Sequence, residues 1–168
     1  KGISSTGRTP TFLGWFEMHL SFVILIKSKT MNDRHNDILR IRPQIKKNQT
    51  FETMSSEERF QNSTLRPVIK LQNPLLLASF VNYATKHKGV FFDIPVYKQM
   101  RYIENAIHKD QKFRNALKGL IIGQFTMEEY MTYTQNSSKL NKRMMNLVIT
   151  RLQDQLQLLV PQTLSKVV

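Results

Sequence analysis

Asp110-Gln111-Lys112-Phe113-Arg114-Asn115-Ala116-Leu117-Lys118-Gly119-Leu120-Ile121-Ile122-Gly123 is the stretch that decides the fold class. Phe113, Ala116, Leu117, Leu120 and Ile121 recur at steps of three and one, which lays them along one face of a helix. Asp110 suits an N-cap, because its carboxylate accepts a free amide of the first turn, and Gly123 suits the stop. Gly119 falls inside the helix at a cost of about 1 kcal/mol relative to Ala, which a close crossing by a neighbouring helix would offset.

The same punctuation extends in both directions. Asn73-Pro74 supplies an N-cap and a first-position proline, and Gly89 follows Lys86, His87 and Lys88, so a helix is expected over Pro74–Lys88. Its apolar stripe is Leu76, Leu77, Phe80, Val81 and Ala84. Asp93-Ile94-Pro95 opens a second helix with Val96, Met100, Ile103 and Ile107 on one face and Lys98, Arg101, Glu104, Asn105 and His108 on the wet face. Thr126-Met127-Glu128-Glu129 is a capping box and predicts a helix over Met127–Thr134, with Phe125, Tyr130 and either Met131 or Tyr133 turned inward. After Asn136-Ser137-Ser138, a long helix is expected from Lys139 to Leu159. Leu140, Met144, Leu147, Val148, Leu152, Leu156 and Leu159 point inward, and Pro161 ends it. Val90-Phe91-Phe92 and Val68-Ile69 are the β-like runs, and both are too brief for a sheet. The expected fold is therefore all-α: a compact bundle of about five helices over residues 66–160.

The rest of the chain has a different texture. Residues 31–65 are polar with few apolar anchors and read as an arm, with one or two helical turns at Ser55-Ser56-Glu57-Glu58 and an interruption at Pro43. Residues 1–30 read as a non-native or disordered extension preceding a start near Met31, part of a flexible, poorly structured N-terminal arm, and 161–168 as a tail. The apolar run Phe22-Val23-Ile24-Leu25-Ile26 is too short to span a bilayer, which needs about 20 residues, and no small-x-small cleavage site follows it. No membrane association is expected.

The 168 residues include no Cys, which excludes a disulfide framework, a thiolate metal site and a Cys nucleophile together. The six glycines are scattered, so no phosphate-cradling loop is legible. No His-x-x-x-His or Glu-x-x-His pair suggests a metal site. Glu57-Glu58 and Glu128-Glu129 are adjacent in sequence and diverge on a helix, which suits capping better than acid–base chemistry. Ser137-Ser138 has Lys139 beside it, and capping is the default reading there. No catalytic residue, metal or cofactor is expected.

What remains is charge. Lys and Arg number 25 against 12 Asp and Glu, a formal net charge of +13, which predicts attraction to polyanions. Eight cations against three acids fall between Lys86 and Lys118. Lys139, Lys142 and Arg143 form a second cluster in the first turns of a helix, where positive charge opposes the helix dipole. Lys98, Arg101, Lys109, Lys112, Arg114, Lys118, Lys139, Lys142 and Arg143 are thus the candidate nucleic-acid-binding residues. Phe91, Phe92, Tyr97 and Tyr102 neighbour them, and any exposed ring among these can stack a base.

Three stretches carry a family resemblance: Phe60-Gln61-Asn62-Ser63-Thr64-Leu65-Arg66-Pro67-Val68-Ile69-Lys70-Leu71-Gln72-Asn73, Lys112 through Thr126, and Asn136 through Asn146. Together they look like a family of short bacterial proteins, some of whose members carry the label glyoxalase. The likeness would cover about residues 31–159 and implies a start near Met31 and a cytoplasmic setting. The label implies a metal-dependent lyase of paired βαβββ modules with His and Glu ligands on strands. This chain lacks strands of adequate length to hold such ligands, so no catalytic residue is carried over. Three readings follow: a basic helical protein contacting RNA or a ribonucleoprotein surface, an interaction module that meets an acidic protein or self-associates through Leu152, Leu156 and Leu159, and a glyoxalase-like lyase. The oligomeric state is left open.

Overall fold

In the computed structural model residues 33–45 and 54–159 are described, and among them all regular structure is helical. The extension expected over 1–30 and the tail over 161–168 lie outside the described residues. The chain divides into two compact units, Lys1–Leu39 and Arg40–Val168. Residues 33–41 form helix α1, and among the described residues the main hydrophobic cluster is built from the second unit.

The polar arm expected over 31–65 holds more structure than its composition suggested. Ser55 opens α2 (Ser56–Phe60) with a reciprocal capping box to Glu58, as its sequence predicts. The helix then continues through a π-helical turn, Gln61–Leu65, into α3 (Arg66–Leu71). Pro67 gives a physical reason for the widened turn: it has no amide to donate, and in an α-helix its ring would strike the carbonyl four residues back. Phe60 and Leu65 are buried in the core. Few anchors are enough here, because a helix collects residues from successive turns onto one side.

Helix α4 (Asn73–Lys86) carries Leu76, Phe80, Val81 and Ala84 inward, as its periodicity requires. Asn73 is not its N-cap: it lies within the helix, Gln72 precedes it, and no side chain caps this end. His87 ends the helix, and Lys88 and Gly89 follow with φ of 65° and 68°, a left-handed turn that glycine adopts freely and lysine does not. Val90-Phe91-Phe92 forms the short helix α5 (Val90–Asp93) instead of a strand.

Helix α6 (Val96–Lys109) buries Ile103, Ala106 and Ile107. Val96 and Met100, expected on the inward face, are exposed: spacing sets the face, but burial along α6 begins only at Ile103. Helix α7 (Gln111–Ile122) begins and ends where its sequence predicts, and the Asp110 carboxylate accepts the Phe113 amide at 3.0 Å. Ala116 is exposed. No helix crosses at Gly119: a Cβ there would meet nothing within 4 Å.

Thr126 and Glu129 form the expected capping box of α8 (Met127–Gln135). Phe125 and Tyr133 are buried, whereas Tyr130 and Met131 are exposed. Helix α9 (Ser137–Gln153) buries Leu140, Met144, Met145, Val148, Ile149 and Leu152. It stops short of Leu159, giving way to a turn and a 3₁₀ segment, Leu156–Leu158. Aromatic rings hold α4 to its neighbours. Phe80 packs edge-on against Phe91 at 4.9 Å and Tyr102 at 6.4 Å, and Tyr83 stacks on Phe113 at 4.1 Å, contacts worth about 0.5–1.5 kcal/mol each beyond area burial.

Candidate functional site at the junction of α6 and α7

The chain breaks between α6 and α7 at a single residue, Asp110, whose extended backbone (φ −87°, ψ 100°) lets its side chain cap the following helix. Beside this break opens a cavity of about 590 Å³, lined by Tyr83, Tyr102, Asn105, Ala106, Lys109, Asp110, Gln111 and Lys112. Tyr83 comes from α4, and α6 contributes Tyr102, Asn105, Ala106 and Lys109 by helical spacing. Ala106 supplies little bulk where a larger residue would fill the floor.

Three ionisable groups in the cavity are perturbed. Burial pushes the Tyr83 phenol above its ordinary value, and the neighbouring Asp110 carboxylate adds to the effect. Burial alone raises Tyr102. The Asp110 carboxyl is held below its ordinary value chiefly by the Phe113 amide, with further help from the Lys112 amide, the Tyr83 hydroxyl and the charge of His87. At neutral pH the cavity therefore holds two protonated phenols and one carboxylate already engaged by the protein, with the side chains of Lys109 and Lys112 beside them. The Tyr83 ring packs against Phe113 and His87, both at 4.1 Å, and its hydroxyl is turned to Asp110.

The nine candidate cations are sorted by their surroundings. Lys109 and Lys112 are brought together at this cavity. Lys98 and Arg101 are exposed on α6, the Lys98 ammonium 5.8 Å from the Tyr97 ring centre. Lys118 is half-buried on α7, and Arg114 turns back to donate to the His108 carbonyl at 3.2 Å. At the amino end of α9, Lys142 is exposed. Lys139 pairs with Glu57 at 3.3 Å, and Arg143 donates to Gln61 Oε1 at 2.9 Å. Of the aromatic candidates, Phe91 is buried, Phe92 and Tyr102 are half-buried, and Tyr97 is exposed. Leu152 and Leu159, considered for self-association, are buried in the core.

A second polar cluster escaped the sequence reading. Arg42 grips both carboxylate oxygens of Glu129, at 2.5 and 2.7 Å, and also donates to the Gln124 carbonyl. Thr64 adds a hydroxyl to Glu129 at 2.9 Å, and the Thr126 amide donates to it at 2.8 Å. Burial raises the Glu129 carboxyl, but Arg42 and the Thr126 amide outweigh that and hold it below its ordinary value. With its acceptors filled by the protein, Glu129 joins the π-helical turn to α8. No local signal announces a partner 87 residues away.

Among the described residues no group of three or more His, Asp or Glu converges to hold a metal, and no helix is long and apolar enough to cross a membrane. No protein-family model, no curated protein and no solved structure matches this chain.

Proposed function

We propose that this chain is a small basic helical binding protein that contacts RNA or a ribonucleoprotein surface, with α6 and α7 carrying the contact. One observation carries the reading: Lys98, Arg101, Lys109, Lys112, Lys118 and Lys142 have no carboxylate within ion-pairing distance among the described residues, unlike Arg42, which pairs with Glu129, and Lys139, which pairs with Glu57. Unpaired ammonium and guanidinium groups bind phosphates with little regard for sequence, through counterion release and with a steep salt dependence. Tyr97, exposed beside Lys98, adds a ring on which a base can stack.

The test is fluorescence anisotropy of a labelled single-stranded RNA, titrated with the full chain at several salt concentrations. Binding that weakens steeply with salt is expected, with a shallower slope for the double variant Lys109→Gln, Lys112→Gln. Absence of binding at low salt overturns the reading. Co-purified nucleic acid, read from the ultraviolet absorbance ratio before and after nuclease, gives a second measure.

The other reading, an interaction module, draws support from α8, where Met127, Tyr130 and Met131 are 54%, 44% and 63% exposed. Their spacing places them on one face. An elution volume that depends on concentration and ignores nuclease favours this alternative.

A further inference from the structure

We infer that the cavity between α6 and α7 is a seat for one nucleoside monophosphate, with Lys109 and Lys112 on the phosphate and Tyr102 and Asn105 around the base and sugar. The inference rests on the polyanion reading of this surface and narrows it to a unit of defined size. The cavity, about 590 Å³ and largely open to solvent, matches small-molecule sites in size, about 300–1,000 Å³.

The choice of ligand follows from the groups that converge. Two ammoniums against one carboxylate favour an anion, and that carboxylate is already partly neutralised by the Phe113 amide. A simple phosphate would leave most of this volume unused. The lining also holds the Asn105 carboxamide, which both donates and accepts, and the Tyr102 phenol. Such a pair matches the mixed donor and acceptor edge of a nucleobase. The ring of Tyr102 provides an apolar wall. A nucleotide meets all of these at once, whether free or at the end of an RNA strand.

The experiment presents the full chain with guanosine, cytidine, adenosine and uridine 5′-monophosphates, ribose 5-phosphate and inorganic phosphate, each followed by saturation-transfer NMR and titration calorimetry. Saturable binding of at least one nucleotide is expected, at least tenfold tighter than ribose 5-phosphate. Asn105→Leu, an exposed position, should weaken it tenfold or more with an unchanged melting temperature. Lys112→Gln should weaken nucleotide and ribose phosphate alike. Equal binding of nucleotide and ribose phosphate overturns the inference, as does binding that ignores Asn105→Leu. If RNA binds while no nucleotide does, the surface contact stands and the seat falls. If free nucleotides bind and RNA does not, the seat stands and the RNA reading falls.

Discussion

Two polar regions of this molecule use charge in opposite ways. Where α2, the π-helical turn, α8 and the amino end of α9 meet, cations are committed to internal partners: Arg42 to the Glu129 carboxylate, Lys139 to that of Glu57, and Arg143 to the Gln61 amide oxygen. At the junction of α6 and α7, Lys109 and Lys112 face an open cavity whose one acid, Asp110, is engaged as a cap. Composition is similar in the two places. The difference is that the first region brings partners from elements remote in sequence, so its cations hold the fold together, while the second leaves its cations without a carboxylate partner among the described residues.

The comparison presupposes one core beneath both regions. Leu117, with no exposed surface, tests it: Leu117→Ala should destabilise by about 2–5 kcal/mol. Urea denaturation followed by circular dichroism should show a single transition, and two separate ones would mean that the regions unfold independently. Glu129→Ala comes next. It leaves the Arg42 guanidinium buried without its carboxylate and should cost about 3 kcal/mol, the lower end of the range for breaking buried pairs because Glu129 keeps some exposure. RNA affinity should be unchanged, and a loss of affinity at constant stability would blur the contrast.

At the junction the signs reverse. Lys109→Gln with Lys112→Gln should weaken RNA binding about tenfold, equivalent to about 1.4 kcal/mol, while the melting temperature holds. A lowered melting temperature would make these lysines structural. Gly119→Ala should raise stability by about 0.5–1 kcal/mol, since the added methyl meets open space on a helix surface. The smallest effect belongs to Glu57, whose carboxyl is held down from 4.5 to about 2, first by a backbone amide and then by Lys139. A depressed carboxylate stabilises the fold above its ordinary value, so this contribution is lost as pH falls from about 4.5 toward 2. Glu57→Gln should flatten that part of the melting curve against pH, and added salt should mute the difference, because Lys139 is 71% exposed.

The helices were legible where their signals are local. Asp110 at the start of α7 and Thr126 with Glu129 at the start of α8 act through amides two or three residues away, and both formed as read. Asn73 failed by the same logic: its type suits a cap, but the chain enters α4 directly from α3, and no side-chain cap forms there. Tyr130, Met131, Val96 and Met100 are apolar and correctly spaced, yet exposed. Spacing defines a face but does not say whether another helix covers it. For the candidate site, Lys109 and Lys112 were flagged by charge density and Tyr102 by proximity. Asn105 was placed on the wet face of its helix, where it lies, but Tyr83 carried no signal, because only packing brings α4 beside the α6–α7 break.

By itself the sequence determined that the chain is helical, where most helices of the second unit start, and that it carries a large excess of positive charge, because hydrophobic period, capping chemistry and ionisation are properties of neighbouring residues. Only the tertiary structure decided which cations are spent on internal partners and which surround a cavity. That choice depends on groups far apart in the chain meeting at hydrogen-bonding distance, as Arg42 and Glu129 do, and no local pattern encodes such a meeting.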